Sequence, residues 1–243
     1  MPDPIFDDPR LAAIYDLFDG PRNDLDNYVH IACEMQARTV LDVGCGTGSF
    51  ALRLTPLGID VTGVDPAAAS LNVARAKPGA NQVTWFHGDA STLPPMRKEL
   101  AVMTGNVAQV FLTDAAWHDT LTGLSQALAP GGHLVFETRN LEYRAWEKWA
   151  SEPTFESIDI DGIGLVTQRR EVTDITLPFV SIRHTYTFPD STEIFSDSTL
   201  RFRDPDDIAV SLDDAGYTLV DRRDAPDRPG AECVYVAQRH PTR

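Results

Sequence analysis

The feature that most constrains the fold is a glycine-rich loop between a predicted strand and a predicted helix. Residues 39–43 have the pattern of a short buried strand, residues 44–48 are Gly-Cys-Gly-Thr-Gly, and residues 49–57 have the pattern of a helix. Alternating glycines let the backbone turn tightly and let a ligand approach the peptide, and the amides at the start of the next helix face that ligand. We therefore predict an α/β fold with a ligand at this turn.

Strands and helices alternate over residues 39–140, which predicts a cofactor-binding core with a doubly wound, mostly parallel sheet. Residues 1–38 contain two amphipathic helical segments and predict a helical cap on this core. Residues 155–203 are β-rich with no room for helices between the strands, which predicts an antiparallel β-meander insertion. Residues 204–239 are expected to return to the core as a helix and two strands, so that residues 1–243 form a single domain.

The charge of the chain excludes some classes of partner. Its 243 residues include 21 Lys and Arg against 36 Asp and Glu, a net charge of −15. Such a surface argues against nucleic-acid binding and against docking on an anionic membrane. Acidic first residues, three widely spaced cysteines and no long apolar run lead us to expect a cytoplasmic protein. The acid lies mostly outside residues 41–150, which favours a neutral or cationic small substrate, and a homodimer is left open.

Two acidic positions follow the next two predicted strands at similar intervals. Asp65 ends the second strand, and Asp89 with Ala90 follows the third. A carboxylate at the first position can accept hydrogen bonds from both ribose hydroxyls, and a carboxylate beside a small residue suits an adenine. Because the carboxyl ends of parallel strands share one edge, we predict an adenosine-like ligand there. Nicotinamide dinucleotides and S-adenosylmethionine both qualify, but Ser49 departs from the dinucleotide fingerprint, and Asp42 suits a cationic ligand.

The sequence resembles class I S-adenosylmethionine-dependent methyltransferases, in particular small-molecule methyltransferases with an antiparallel-strand insertion. The resemblance is carried by the loop of residues 42–48, by Asp65, by Asp89 and Ala90, and by the Leu-Ala-Pro-Gly-Gly turn of residues 128–132. It implies transfer of a methyl group from S-adenosylmethionine to N or O of a small-molecule acceptor by in-line displacement. The cofactor-binding residues that it implies are Tyr15, Asp42, Gly44, Gly46, Gly48, Asp65, Pro66, Asp89, Ala90, Asn106 and Gln109.

The acceptor site is predicted from the meander. Strand alternation over residues 183–188 places His184 and Tyr186 on one face. We expect His184 to be a general base and Tyr186 a wall or hydrogen-bond donor, the alternative being a structural histidine on a half-buried strand. Arg139, after the fifth strand, is expected either to hold an acceptor carboxylate or to form a salt bridge. Trp146 and Trp149 are expected to be packing residues, the alternative being a platform for the acceptor. No cluster of metal-ligating side chains is evident, so we expect no metal.

Three other functions stay open at this point. The first is methylation of tRNA or protein, against which the acidic C-terminal region counts. The loop of residues 103–107 also lacks the Asn/Asp-Pro-Pro-aromatic motif usual in nucleic-acid amino methyltransferases. The second is a pseudo-enzyme that binds the cofactor and serves as an interaction module, because the loops report binding and not transfer. The third is a nicotinamide oxidoreductase, which Ser49 disfavours.

Overall fold

The computed structural model describes residues 2–241, and its strands form two sheets. In chain order the strands are β1 (Thr39–Val43), β2 (Asp60–Asp65), β3 (Val83–His87), β4 (Lys98–Met103), β5 (Leu128–Arg139), β6 (Thr154–Ile160), β7 (Gly164–Thr176), β8 (Phe179–Thr187), β9 (Glu193–Arg201), β10 (Tyr217–Asp224) and β11 (Glu232–Arg239). The helices are α1 (Pro4–Asp7), α2 (Pro9–Asp19), α3 (Leu25–Glu34), α4 (Ala51–Leu54), α5 (Ala68–Ala76), α6 (Asp114–Ala127), α7 (Ala145–Ser151) and α8 (Pro205–Asp214). No helix within residues 2–241 is long and apolar enough to cross a membrane.

The larger sheet has seven strands in the order β10-β11-β5-β4-β1-β2-β3. Strand β11 is antiparallel to both of its neighbours, and the other pairs are parallel. Its central strands are buried on both faces, as the short runs of β-branched and apolar residues predict. Helices α3 and α4 cover one face, and α6 and α8 cover the other. The predicted doubly wound, mostly parallel fold is confirmed.

The second sheet is the antiparallel meander β6-β7-β8-β9. Its first strand, β6, pairs with β7 along its whole length. The Ala-Pro-Gly-Gly segment of residues 129–132, in contrast, differs from its prediction as a turn. It lies inside the long strand β5, and the register between β4 and β5 shifts there, between Lys98 and Leu100. The extra residues therefore bulge from the sheet without ending the strand.

The N-terminal helices join the two sheets. Ile5, Leu11 and Ile14 pack in one apolar cluster with Tyr186 and Phe188 of the meander segment. On the other side, the Ser70 hydroxyl of α5 donates to the Phe6 carbonyl oxygen at 2.7 Å. Helices α1 and α2 thus lie between the core and the meander, at the edge where the parallel strands end.

Candidate functional site

The glycine-rich loop is bonded to the end of the neighbouring strand. The amides of Gly44 and Cys45 donate to the Val64 carbonyl oxygen at 2.9 and 3.1 Å. The Gly46 amide donates to Asp65 Oδ2 at 2.8 Å. Because β1 and β2 are paired in parallel, both loops leave the sheet at the same edge. The sequence prediction that these residues converge is therefore correct.

Asp65 links two loops with one carboxylate. Besides the bond from Gly46, its Oδ1 accepts the Ala67 amide at 2.7 Å, just before helix α5. The side chain is only 7% exposed, and burial raises the pKa of the carboxyl above its ordinary value. Each oxygen keeps a lone pair for a further donor. The helix-start role considered for Asp65 is thus present, and the ribose role stays a prediction that this geometry allows.

Asp42 lies beneath the loop and not on its surface. The residue is 1% exposed, and neither carboxylate oxygen has a hydrogen-bond partner within residues 2–241. Burial, assisted by the nearby Asp65 carboxylate, raises the pKa of Asp42 to about 7. A carboxyl with such a pKa changes its charge near neutral pH and responds to any positive charge brought close to it.

The predicted adenine side lies at the end of β3. The Gly88 amide donates to the Asp65 carbonyl oxygen at 3.1 Å, which holds this loop against β2. Asp89 is exposed, and its Oδ1 accepts the Ser91 amide at 2.9 Å. Ala90 is buried beside a cavity of about 420 Å³. Pro66 contributes its carbonyl oxygen, to which His87 Nε2 donates at 3.0 Å.

The predicted methionine side contains a buried polar network. Asn106 has a left-handed backbone (φ 62°), and its amide donates to Glu137 Oε1 at 2.9 Å. Its Nδ2 donates to Glu232 Oε1, also at 2.9 Å, and its Oδ1 is buried without a hydrogen bond in the described chain. Burial and the neighbouring Glu232 raise the pKa of Glu137 to about 7. Asn106 thus offers one free acceptor at the edge of the sheet.

Gln109 has a different environment from the one expected of a cofactor contact. The side chain is fully buried, Oε1 accepts from Arg139 Nη1 at 3.0 Å, and Nε2 donates to the Arg201 carbonyl oxygen at 3.3 Å. Both ends of the amide are therefore used within the chain. The geometry favours a residue that positions Arg139.

Tyr15 lies on α2 above this edge. Its ring is 5.5 Å from the Phe6 ring between centroids, and burial together with the Asp19 carboxylate raises the pKa of its hydroxyl. Arg22 follows with a left-handed backbone and forms ion pairs with Asp19 at 2.8 Å and with Asp24 at 2.9 Å. Burial opposes the charge of Arg22, but these ion pairs raise its pKa overall. Arg22 was not recognised from the sequence.

The predicted acceptor face is the inner face of the meander. Directly opposite pairs across β7 and β8 join Arg170 to His184 and Gln168 to Tyr186. Gln168 Nε2 donates to the Tyr186 hydroxyl, and that tyrosine is 1% exposed. Burial raises the pKa of Tyr186 to about 12. Strand alternation thus places His184 and Tyr186 on one face, as predicted.

His184 is uncharged at neutral pH in this environment. Burial, with the Arg170 charge added, lowers its pKa to about 4. Its Nδ1 is buried and has no hydrogen-bond partner in the part of the chain that the structure describes. A neutral imidazole can accept a hydrogen bond from a ligand, but with this pKa it is a weak base. The role of general base for His184 stays a prediction.

The core matches a known family. Residues 40–132, which hold the glycine loop, Asp65 and Asp89, match the methyltransferase domain family. Residues 40–132 therefore form a methyltransferase domain of this family. The doubly wound sheet with one antiparallel strand is the fold that this chain shares with its structural neighbours.

Curated relatives are similar to this chain over part of their length. A putative methyltransferase of Geobacillus sp. (strain WCH70) is 54% identical over 107 residues, which are 43% of this chain and 43% of that protein. An uncharacterized methyltransferase of Mycobacterium tuberculosis (strain ATCC 25618 / H37Rv) is 33% identical over 123 residues, 48% of this chain and 46% of that protein. The chain therefore spans less than half the length of these two relatives.

Solved structures extend the likeness of the fold to nearly the whole chain. The CcbJ methyltransferase of Streptomyces caelestis has a TM-score of 0.74 at 23% identity, over 91% of this chain and 92% of that one. The sugar N-methyltransferase KedS8 of Streptoalloteichus sp. ATCC 53650 has a TM-score of 0.77 at 18% identity, over 93% and 92%. At these identities the likeness concerns the fold, including the meander.

Two tryptophans of α7 pack as expected from the sequence. Trp146 is buried against Phe202. Trp149 packs against the same ring, with 6.3 Å between centroids, and also lies under the Arg139 guanidinium, 5.0 Å from ring centroid to Cζ. No group of three or more His, Cys, Asp or Glu side chains within residues 2–241 is arranged to hold a metal ion.

Proposed function

We propose that the chain transfers the methyl group of S-adenosylmethionine to a nitrogen or oxygen atom of a small-molecule acceptor. One observation carries the proposal: Gly46 donates to Asp65 beside open space, because a Cβ added at Gly46 would meet no atom within 4 Å. A ligand can therefore lie against the backbone at Gly46, where the Asp65 carboxylate has lone pairs left for hydroxyl groups. The residues present fit the cofactor of the family.

The chain's own residues would divide the cofactor between three loops. Asp65 would accept the ribose hydroxyls, Asp89 and Ala90 would flank the adenine, and Tyr15 and Asn106 would face the methionine end. The remaining members of the predicted set would lie around these positions: Asp42, Gly44, Gly46, Gly48 and Pro66. Gln109, whose amide is bonded to Arg139 and Arg201, would act on the site through Arg139. When bound, S-adenosylmethionine supplies an activated methyl group on a sulfonium sulfur. Because the donor is already activated, the protein has mainly to align the partners and exclude water.

The position of the proposed acceptor face supports a small-molecule acceptor. The inner face of the meander is covered by α2, where Phe18 packs edge-on against Tyr186 with 5.5 Å between ring centroids. Walls of this kind, with a few polar groups between apolar ones, are typical of sites for small molecules. KedS8, whose fold is similar, is named as a sugar N-methyltransferase. The net charge of −15 disfavours tRNA as the acceptor.

Within this site Arg139 and Tyr186 would contact the acceptor, and His184 would accept a hydrogen bond from its N–H or O–H group. A pKa of about 4 leaves the imidazole neutral, which is the form that can accept the hydrogen bond. Removal of a proton by His184 requires its pKa to rise when the acceptor is bound. A negative charge on the acceptor beside the imidazole would have this effect.

Calorimetric titration with S-adenosylhomocysteine tests the cofactor site. We expect saturable binding that Asp65→Ala weakens by at least tenfold, whereas Asp213→Ala, on the exposed side of α8, leaves the affinity within twofold. Absence of binding to the unmodified chain at millimolar ligand would contradict the proposal. Release of S-adenosylhomocysteine in a screen of metabolites with S-adenosylmethionine separates an enzyme from a cofactor-binding pseudo-enzyme, which would release none.

A homodimer stays a prediction. The outer face of the meander exposes Phe155 and Phe195, with 69% and 49% of each residue accessible. Size-exclusion chromatography with light scattering measures the mass directly. A monomer at all concentrations would remove this part of the proposal and leave the enzymatic part intact.

A further inference from the structure

Two guanidinium groups near the acceptor face form no ion pair within residues 2–241. The Arg170 side chain lies directly opposite His184 on the inner face of the meander and forms neither an ion pair nor a hydrogen bond with the described chain. Burial alone lowers its pKa, with no carboxylate close enough to counter that effect. A half-buried cation with no counter-ion is costly in an empty site, and an anionic ligand would remove that cost.

Arg139 is the second of the two groups and is held in a fixed orientation. Its Nη1 donates to Gln109 Oε1 at 3.0 Å, and the guanidinium lies over the Trp149 ring. Glu232 lies directly opposite Arg139 in the β5–β11 ladder, but its Oε1 already accepts from Arg228 at 2.8 Å. Burial lowers the pKa of Arg139, the Glu232 and Glu137 carboxylates oppose this effect, and the Arg228 and Arg170 charges add to the lowering. Trp149 packs in the same apolar cluster as Val172, which lies two residues after Arg170 on the same face of β7, so the Arg139 guanidinium lies on the same side of the meander as Arg170.

On the outer face of the same sheet, by comparison, arginines form ion pairs with carboxylates of the chain. Arg183 forms an ion pair with Asp197 at 2.6 Å, and Arg169 pairs with Glu171. Arg139 and Arg170 form no such ion pair within residues 2–241, although both are half-buried. Because a half-buried charge without a counter-ion is costly, the two together indicate a site whose anion comes from outside the chain.

We propose that Arg139 and Arg170 form an anion-binding subsite, so that the methyl acceptor carries a carboxylate or phosphate group. The inference rests on the proposed function only in assigning the occupant as the acceptor. The planar guanidinium groups can each donate two parallel hydrogen bonds to either kind of anion. His184 Nδ1, opposite Arg170, would accept the hydrogen bond of a neighbouring N–H or O–H group. The local charge thus reverses the bias toward neutral or cationic substrates that the net charge of −15 suggested.

Calorimetric titration with benzoate and with phenyl phosphate, each in the presence of S-adenosylhomocysteine, tests the subsite. We expect one of the two anions to bind saturably at one site per chain, and the better probe identifies carboxylate or phosphate as the group recognised. Because the chain as a whole repels anions, saturable binding has to be local. Failure of both probes to bind would overturn the proposal.

Substitutions test whether these two arginines bind the anion. Arg170→Gln and Arg139→Gln should each lower the affinity for the anion by tenfold or more. Arg170→Lys should lower it less than Arg170→Gln. Arg169→Gln is the matched control, since Arg169 is the preceding residue of β7 and faces the opposite side. An equal loss in Arg169→Gln would overturn the proposal. S-adenosylhomocysteine affinity, measured on every variant, distinguishes a failed cofactor site from a failed anion subsite.

Discussion

The Asp65 carboxylate binds the Gly46 amide through Oδ2 at 2.8 Å, while its Oδ1 accepts the Ala67 amide at 2.7 Å. One side chain thus joins the loop after β1 to the start of α5. The bonds form because β1 and β2 are parallel neighbours whose ends reach the same edge of the sheet. The same carboxylate is the one proposed to hold a ribose, so loop geometry and ligand affinity depend on one residue.

Asp65→Asn should reduce both stability and cofactor affinity. The amide NH₂ group has to replace one of the two oxygens, so one of the two backbone N–H groups loses its acceptor. An unsatisfied buried donor costs about 1–3 kcal/mol, which urea unfolding can measure. Asp213→Asn, an exposed change of the same kind on α8, should leave the free energy of unfolding unchanged. Equal stability of Asp65→Asn and the unmodified chain would show that these bonds contribute nothing.

A comparison of Gly46→Ala with Gly48→Ala should distinguish a glycine needed for ligand binding from one needed for packing. Both glycines have a left-handed backbone, with φ of 51° and 80°, so alanine at either position costs about 1–2 kcal/mol. A Cβ at Gly48 would also lie 2.5 Å from Trp85 Cη2, whereas one at Gly46 meets nothing. Thermal unfolding should therefore show the larger loss for Gly48→Ala, by about 1–3 kcal/mol.

The affinity for S-adenosylhomocysteine should show the opposite order, with the larger loss in Gly46→Ala. The methyl group at position 46 projects into the space left for the ligand, so Gly46→Ala should lower affinity more than its effect on folding explains. Unchanged affinity in Gly46→Ala would mean that the ligand does not lie against this peptide.

Asp42→Asn should stabilise the chain at high pH. The pKa of Asp42 is about 7 in the folded chain and near 3.8 without burial. Between these values the folded state holds the proton that the unfolded state has released, so stability falls as the pH rises from about 4 to 7. At pH 8 the neutral variant should be more stable by about 2–4 kcal/mol, and near pH 4 the two should converge. Urea unfolding across this range is the measurement, and a constant difference would contradict it.

The cofactor edge was predictable because it depends on spacing along the chain. Asp65 and Asp89 follow successive strands, and parallel strands bring their carboxyl ends to one edge whatever the details of the helices between them. The burial of Asp42 was harder to predict from the sequence. Its place before the glycines suggested contact with a ligand, but how deeply it is buried depends on how α3 and α4 pack over β1.

The acceptor side was predictable only in part, for a different reason. Alternation placed His184 and Tyr186 on one face, since this needs only the strand itself. That Arg170 lies opposite His184 depends on the register between β7 and β8, which a bulge between Val172 and Asp174 shifts by one residue. A bulge of this kind has no reliable signature in the sequence. Without the register, Arg170 could not be distinguished from Arg169, although the two face opposite sides.

His184→Asn should make the chain less sensitive to acid. The pKa of His184 is about 4 when folded against 6.5 without burial, so stability is fully present above pH 6.5 and is lost as the pH falls toward 4. Arg170, which faces the imidazole, adds to this loss. Asp42 and Glu137 change stability in the opposite direction, so the quantity to compare is the difference between variant and unmodified chain at each pH. That difference should move in favour of the variant by about 1–3 kcal/mol between pH 7 and pH 4. A difference independent of pH would show that the pKa of His184 is the same in the folded and the unfolded chain.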